Sequence, residues 1–355
     1  MFGRMMNNYY YGKSGKGDFR KEDMPSNRWQ LFWDTLRTRL SGLCRINLLY
    51  ALIFLPTMIV LVINYTNILS TMSTVIMVQD NEYAAYVDKM QEQGSEVTIS
   101  EEDYNTLRNS DPDLNGYIDG TIFTMLLWLI PCLAITGPFT AGLSYVTRNW
   151  ARDEHAFIWT DFKDALKENW KQSLILSAIT SILPAAVYVG WRFYGQMTSQ
   201  NMIMIVPQVL VVLVSVIWAL SITYMHPLVV TYELKTMDVI RNGLLLGVAR
   251  LPMSVGIRLL HCVPALIGTA IAFLWDPMYG MLFLLAWYIL IGFSLSRFIT
   301  ASYTNAVFDK YINSRIEGAK VNRGLRSDED DDDGPDEEET EEAGKIPAGE
   351  GNESN

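Results

Sequence analysis

Apolar positions in this chain fall in long unbroken blocks, not in the short alternating runs of a soluble core. Six blocks, at residues 46–63, 121–145, 174–191, 202–225, 253–275 and 278–297, approach or exceed the length needed for a helix to cross about 30 Å of hydrocarbon, roughly 20 residues. A buried helix of a soluble domain would explain one such block, but not six in 355 residues. The pattern predicts an all-α fold, a polytopic bundle of six transmembrane helices.

Between the blocks the period changes. In residues 28–45, Trp29, Phe32, Trp33, Leu36, Leu40 and Leu43 recur at helical spacing, and Arg28, Arg37 and Arg39 take the remaining surface. This predicts an amphipathic helix lying in the membrane interface, with a helix packed on the protein's own loops as the alternative. Within the connection 146–173, Ile158, Trp159, Phe162, Ala165, Leu166 and Trp170 share one face, opposite Asp161, Lys163, Asp164, Lys167 and Glu168. A weaker amphipathic stretch lies between Met237 and Arg250, inside the connection 226–252. The long connection 64–120 reads as a loop with a helix around 70–93 and a shorter one near Ser100, where Ser100 and Asp103 have capping spacing. Asp276-Pro277 reads as a tight turn, and residues 1–27 as irregular.

Charge orients the bundle. Counted between spans, 23 Lys and Arg fall on the side of the two termini and three (Lys89, Arg108 and Arg192) on the other. By the positive-inside rule both termini are expected in the cytoplasm. The net charge of −11 belongs to a tail: residues 328–355 carry 14 acids and one lysine, so −13, which leaves +2 for the rest. Residues 315–355 are expected to be a disordered acidic cytoplasmic tail, since 12 acids in the 15 residues 328–342 cannot bury apolar surface. The connection 64–120 is the other acidic segment, with 11 acids against two basic residues. No cleavable signal peptide is read in the polar first 27 residues, so the first span is expected to serve as an uncleaved membrane signal. Cys44, Cys132 and Cys262 lack metal or redox spacing and read as packing residues.

Two features hint at internal repetition. Pro138, an amphipathic helix and Pro184 in span three are echoed by Pro227, a second amphipathic helix and Pro264 in span five. Trp170 precedes Pro184 by 14 residues, as Arg250 precedes Pro264. Repeats and proline-interrupted spans are a mark of transporters.

Two groups of residues are candidates for chemistry. Arg258, His261, His226 and Arg297 sit at the cytoplasmic ends of spans four to six, where ionisable groups are costly. Such a set suits an anionic substrate or a proton path. Snorkelling arginines and histidines bonded to proline-freed backbone are the alternative. The second group is Asp111, Asp113, Asn115 and Asp119, with Gly116 at the sixth position of a calcium-type loop. The twelfth position, where the bidentate Glu belongs, is Ile122, and an Asp/Asn/Gly turn is the alternative. Calcium is the only cofactor these residues suggest. Asn47 in span one reads as interhelical glue. There is no G-x-S-x-G, P-loop or H-E-x-x-H motif, and no nucleic-acid patch, so an enzyme is not expected.

The stretches 43–56 (LCRINLLYALIFLP) and 136–149 (TGPFTAGLSYVTRN), followed by Asp161-Phe-Lys and by 168–173 (ENWKQS), resemble the YesL-like family of bacterial integral membrane proteins, whose molecular function is unknown. The resemblance covers roughly residues 10–310. It implies a bacterial plasma membrane and a frequent association with carbohydrate ABC importers. The acidic insertion 64–120 and the acidic tail depart from the family pattern. The expectation is a non-enzymatic accessory protein whose partners are the lipid bilayer and permease subunits of a carbohydrate importer. A small-solute transporter is the alternative, and a membrane-embedded enzyme the least favoured reading.

Overall fold

The computed structural model describes residues 24–80, 82–92, 94–97, 99–110 and 113–326. All regular structure among them is helical. In chain order the helices are α1 (Arg28–Asp80), α2 (Tyr83–Glu92), α3 (Glu101–Asn109), α4 (Leu114–Trp150), α5 (Thr160–Thr198), α6 (Ile205–Val229), α7 (Thr236–Ala249), α8 (Leu251–Leu274), α9 (Pro277–Trp287) and α10 (Phe293–Tyr311). A π turn, Tyr288–Gly292, joins α9 to α10. Among the described residues six helical segments are long and apolar enough to cross a membrane; five of the expected spans lie inside one of them, and the fifth in chain order, 253–275, overruns its helix by one residue. The protein is a multi-pass helical bundle. Its outer surface exposes Leu213, Leu266 and Phe273, as a lipid-facing surface should.

The helices run further than their apolar blocks. Helix α1 has 53 residues, so it extends about 80 Å and projects beyond the hydrocarbon. The interfacial helix expected at 28–45 is not a separate element. Nothing at the junction with span one stops a helix: Gly42 faces the Trp150 ring, which a Cβ would meet at 3.0 Å, so it serves close packing there. Leu31 and Leu43 are buried and Phe32 stacks on Phe298, so this stretch packs on the protein itself, while Trp29 and Trp33 stay exposed. The amphipathic stretch 158–170 is likewise continuous with span three: helix starts at Thr160, and its buried Phe162 and Ala165 face the core. Only the second amphipathic segment, α7, stands alone, ending at Arg250. The two halves of the apparent repeat therefore differ in form. The prolines also break nothing. Pro56, Pro131, Pro138, Pro184, Pro227 and Pro264 all lie within helices.

Two ends can be told apart. The end carrying the basic loops holds most of the core. One cluster joins Leu43, Ile46, Trp150, Phe162 and Phe298; another joins Tyr224, Met225, Leu228, Val239 and Phe308. The acidic end carries α2 and α3 over a small core of Val78, Tyr86 and Tyr104. As the sequence suggested, Ser100 caps α3: Asp103 N–H donates to Ser100 Oγ (3.1 Å) and Ser100 Oγ–H donates to Asp103 Oδ2 (2.7 Å). Asp276 caps α9 in the same way, accepting from Met278 N–H at 2.7 Å.

The segment after α10 departs from expectation. Residues 315–326 fold back on the basic end. Arg28 pairs with Asp309 at 2.7 Å and donates to Asn322 Oδ1 at 2.8 Å; Asn322 N–H donates to Asp309 Oδ2; Arg323 pairs with Glu154; and Arg326 N–H donates to Pro25 O. These twelve residues are basic, not acidic, and find partners in Asp309 and Glu154. The acidic tail itself, 327–355, and residues 1–23 lie outside the described residues.

Candidate functional site

A cavity of about 300 Å³ lies in the basic half of the bundle, and every spanning segment lines it. Helix α1 contributes Tyr50 and Phe54; α4 contributes Leu133, Thr136 and Thr140; α5 contributes Ser177, Thr180 and Ser181. From α6 come Ile222, Thr223 and His226, and from α8 Arg258 and His261. The π turn and α10 add Tyr288, Gly292, Phe293, Ser296, Arg297 and Thr300. All four basic residues singled out in the sequence thus converge on one cavity, although they span 72 positions from His226 to Arg297. The hydroxyl-bearing wall opposite them was not anticipated. Its signal was present in the Ser and Thr residues of spans two and three, but small hydroxyls are common in any membrane helix contact.

The polar lining is partly satisfied. His261 Nε2 lies 3.1 Å from Ser296 O, and since a carbonyl only accepts, Nε2 carries the proton. Thr300 donates to the same carbonyl at 2.9 Å. Thr140 gives its proton to Thr136 O, so Tyr50 is the donor in the 2.7 Å contact with Thr140 Oγ1. Two of the four basic side chains are not fully satisfied. His226 is 3 % exposed and its Nδ1 has no hydrogen-bond partner. Arg258 Nε is also without one. Among the described residues no Asp or Glu lines the cavity, and the ion pairs Arg28–Asp309, Arg192–Asp119 and Arg323–Glu154 lie elsewhere. Two guanidiniums without a protein counter-charge are expensive to keep inside a membrane, ~2.5–3.5 kcal/mol each at the helix centre on insertion scales and less toward the interface. An anion entering the cavity would receive charge-assisted hydrogen bonds from them and relieve that cost.

The wall that carries Tyr288, Gly292 and Phe293 is held by one side chain. A π turn leaves backbone groups without their usual helical partners. Asn47, fully buried, supplies them: Nδ2 donates to Tyr288 O and Ile289 O, both at 2.8 Å, and Oδ1 accepts from Ser294 N–H at 2.9 Å. Two carbonyls on one side and one N–H on the other fix the amide in a single orientation. The residue read as interhelical glue therefore shapes the cavity. No proline marks the π turn, so it could not be found by looking for broken spans.

Of the residues read as a calcium loop, Asp113, Asn115 and Asp119 lie at the start of a helix. Helix α4 starts at Leu114, so Asn115 and Asp119 are helical and do not wrap around a common centre. Asp113 is spent as the N-cap, accepting from Gly116 N–H at 2.8 Å. Asp119 pairs with Arg192 and accepts from the Tyr188 hydroxyl at 2.9 Å. Asp111 lies outside the described residues. Among those described, no group of three or more His, Cys, Asp or Glu could hold a metal.

Residues 121–191 match the family model described as "Protein of unknown function, DUF624". No curated protein and no solved structure matches the chain. The matching segment comprises the membrane part of α4, the turn after it and most of α5. These two helices approach closely through small residues: a Cβ on Gly137 would lie 2.3 Å from Ser173 O, and one on Gly142 would lie 2.7 Å from Phe162 O. The segment also supplies the hydroxyl wall, from Thr136 to Ser181, whereas the four basic residues lie beyond it.

Proposed function

We propose that this is a non-enzymatic, multi-pass protein of the bacterial plasma membrane, with both termini in the cytoplasm, whose cavity binds an anionic group from the cytoplasmic side. One observation carries the reading. Arg258, Arg297, His226 and His261 meet in a polar cavity that no described carboxylate lines. The 23-to-3 bias of basic residues supports the orientation and puts this cavity in the cytoplasmic half. The lining offers cations, hydroxyls and aromatic rings; its one hydroxyl–histidine contact, Thr300 Oγ1 to His261 Nε2 at 3.5 Å, has both groups donating to Ser296 O, which favours binding over catalysis.

Titration of the purified protein in neutral-lipid nanodiscs with ethyl phosphate tests this. Wild type should bind, and the Arg258→Gln/Arg297→Gln variant should bind at least tenfold more weakly. Equal affinity for both proteins would contradict the site.

A second reading keeps the chain as an accessory to a carbohydrate ABC importer. It is supported by the YesL-like resemblance and by the exposed start of α5, where Trp159 and Trp170 are 62 % and 46 % exposed beside Lys163 and Lys167. Recovery of importer permease subunits in stoichiometric amount, after purification in mild detergent, would favour it. Uptake of solute by proteoliposomes holding this chain alone would favour a transporter instead.

A further inference from the structure

Arg258 lines more than the cavity. It also closes the inner end of a second hollow, of about 580 Å³, that shares Thr180 and Ile222 with the first. This second hollow runs between α4, α5 and α6 toward the acidic end. Its walls are Leu126, Leu183, Val187, Trp191, Trp218 and Ala219, so it is apolar along its length. Trp218 is turned to the junction, where its indole N–H donates to Thr180 Oγ1 at 3.0 Å. Toward the outer end the hollow is lined by Tyr188, whose hydroxyl donates to Asp119, itself paired with Arg192.

The two hollows differ in chemistry and meet at one guanidinium. A hydrophilic anion would use the first and gain nothing from the second. A plain lipid chain would fill the second and gain nothing from Arg258. From Thr180 to Trp191 the helix rises about 16 Å, the length of an extended chain of roughly a dozen carbons. We propose that the ligand is an anionic amphiphile, a phosphate monoester of a long-chain alcohol, with its head between Arg258 and Arg297 and its chain in the groove beside α5 and α6. The phosphate accepts from the guanidiniums at depth, which a mobile bilayer lipid seldom does, because its own head stays at the interface. The chain needs no route through water, since the groove lies at the level of the hydrocarbon. This rests on the anion-site reading and adds the class of ligand.

The test uses dodecyl phosphate carrying a diazirine at mid-chain, photolysed with the full-length protein in neutral phosphatidylcholine nanodiscs. Label is expected within residues 183–191 and 215–219, reduced at least fivefold in Arg258→Gln. Because that variant removes a buried charge and could alter folding, Ala219→Trp provides a second arm. It should fill the groove and abolish this label while ethyl phosphate still binds with wild-type affinity. Label spread evenly over the lipid-facing residues of all helices, and unchanged in both variants, would mean bulk lipid only and overturn the proposal. If ethyl phosphate binds while the groove stays unlabelled, the amphiphile is wrong and the anion site stands. If neither ligand binds, both readings fall.

Discussion

At the scale of single residues, the cavity depends on groups whose cost only makes sense together. Asn47 makes three hydrogen bonds to a π turn, and leucine at that position would orphan two carbonyls and one N–H. Interhelical hydrogen bonds in membranes average about 0.6 kcal/mol, and an orphaned buried group costs ~1–3 kcal/mol, so Asn47→Leu should lose on the order of 2 kcal/mol. Thermal unfolding in detergent should show the drop in Tm, and ethyl phosphate binding should weaken with it, because Tyr288 and Phe293 would no longer be held. A variant with unchanged Tm would show that the π turn needs no clamp. The sequence made Asn47, Arg258 and His226 visible, since a polar or ionisable residue in an apolar block stands out. It could not show that Arg258 lacks a carboxylate partner. That depends on what α10 brings to the same place, and on what α1 and α4 bring from positions more than a hundred residues away.

Among elements, the α4–α5 pair is the most closely packed. Gly137 faces backbone, Ser173 O at 2.3 Å from a built Cβ, and backbone cannot turn aside as a flexible side chain can. Gly256 has nothing within 4 Å. Gly137→Leu should therefore separate the two helices and lose folded protein on size-exclusion chromatography, while Gly256→Ala should elute and melt as wild type does. Similar behaviour of the two variants would contradict close packing at Gly137. The existence of each span was legible because it needs only length and composition. Helix ends were not. The junctions at residues 45 and 173 change polarity without any stop signal, so α1 and α5 run straight through them, whereas Ser100 and Asp276 carry caps and were placed correctly. The residues of the calcium reading are ambiguous for a related reason. Asp, Asn and Gly at alternate positions describe a ligand loop and a capped helix start equally well, and the cap formed at Asp113.

For the whole molecule, the claim is a six-span bundle with an acidic end outside and a basic end inside. Cysteines introduced by Asp103→Cys and Lys163→Cys in a background free of Cys44, Cys132 and Cys262 should react with a membrane-impermeant maleimide from opposite sides. Labelling of both from one side of intact cells would break the topology. The basic end is also where the first and last described segments meet: Arg28, Asp309 and Asn322 join α1, α10 and the segment after it. That closure was hidden in the sequence, where residues 315–326 look like the beginning of the acidic tail and only their own basic character tells them apart.

The most direct measurement of the central claim is a structure of the protein in neutral-lipid nanodiscs with tungstate, a heavy oxyanion that substitutes for phosphate. The account predicts density for one tungstate within hydrogen-bonding distance of Arg258 and Arg297, beside His226. Tungstate bound only at surface lysines, with the cavity empty or holding water alone, would contradict it.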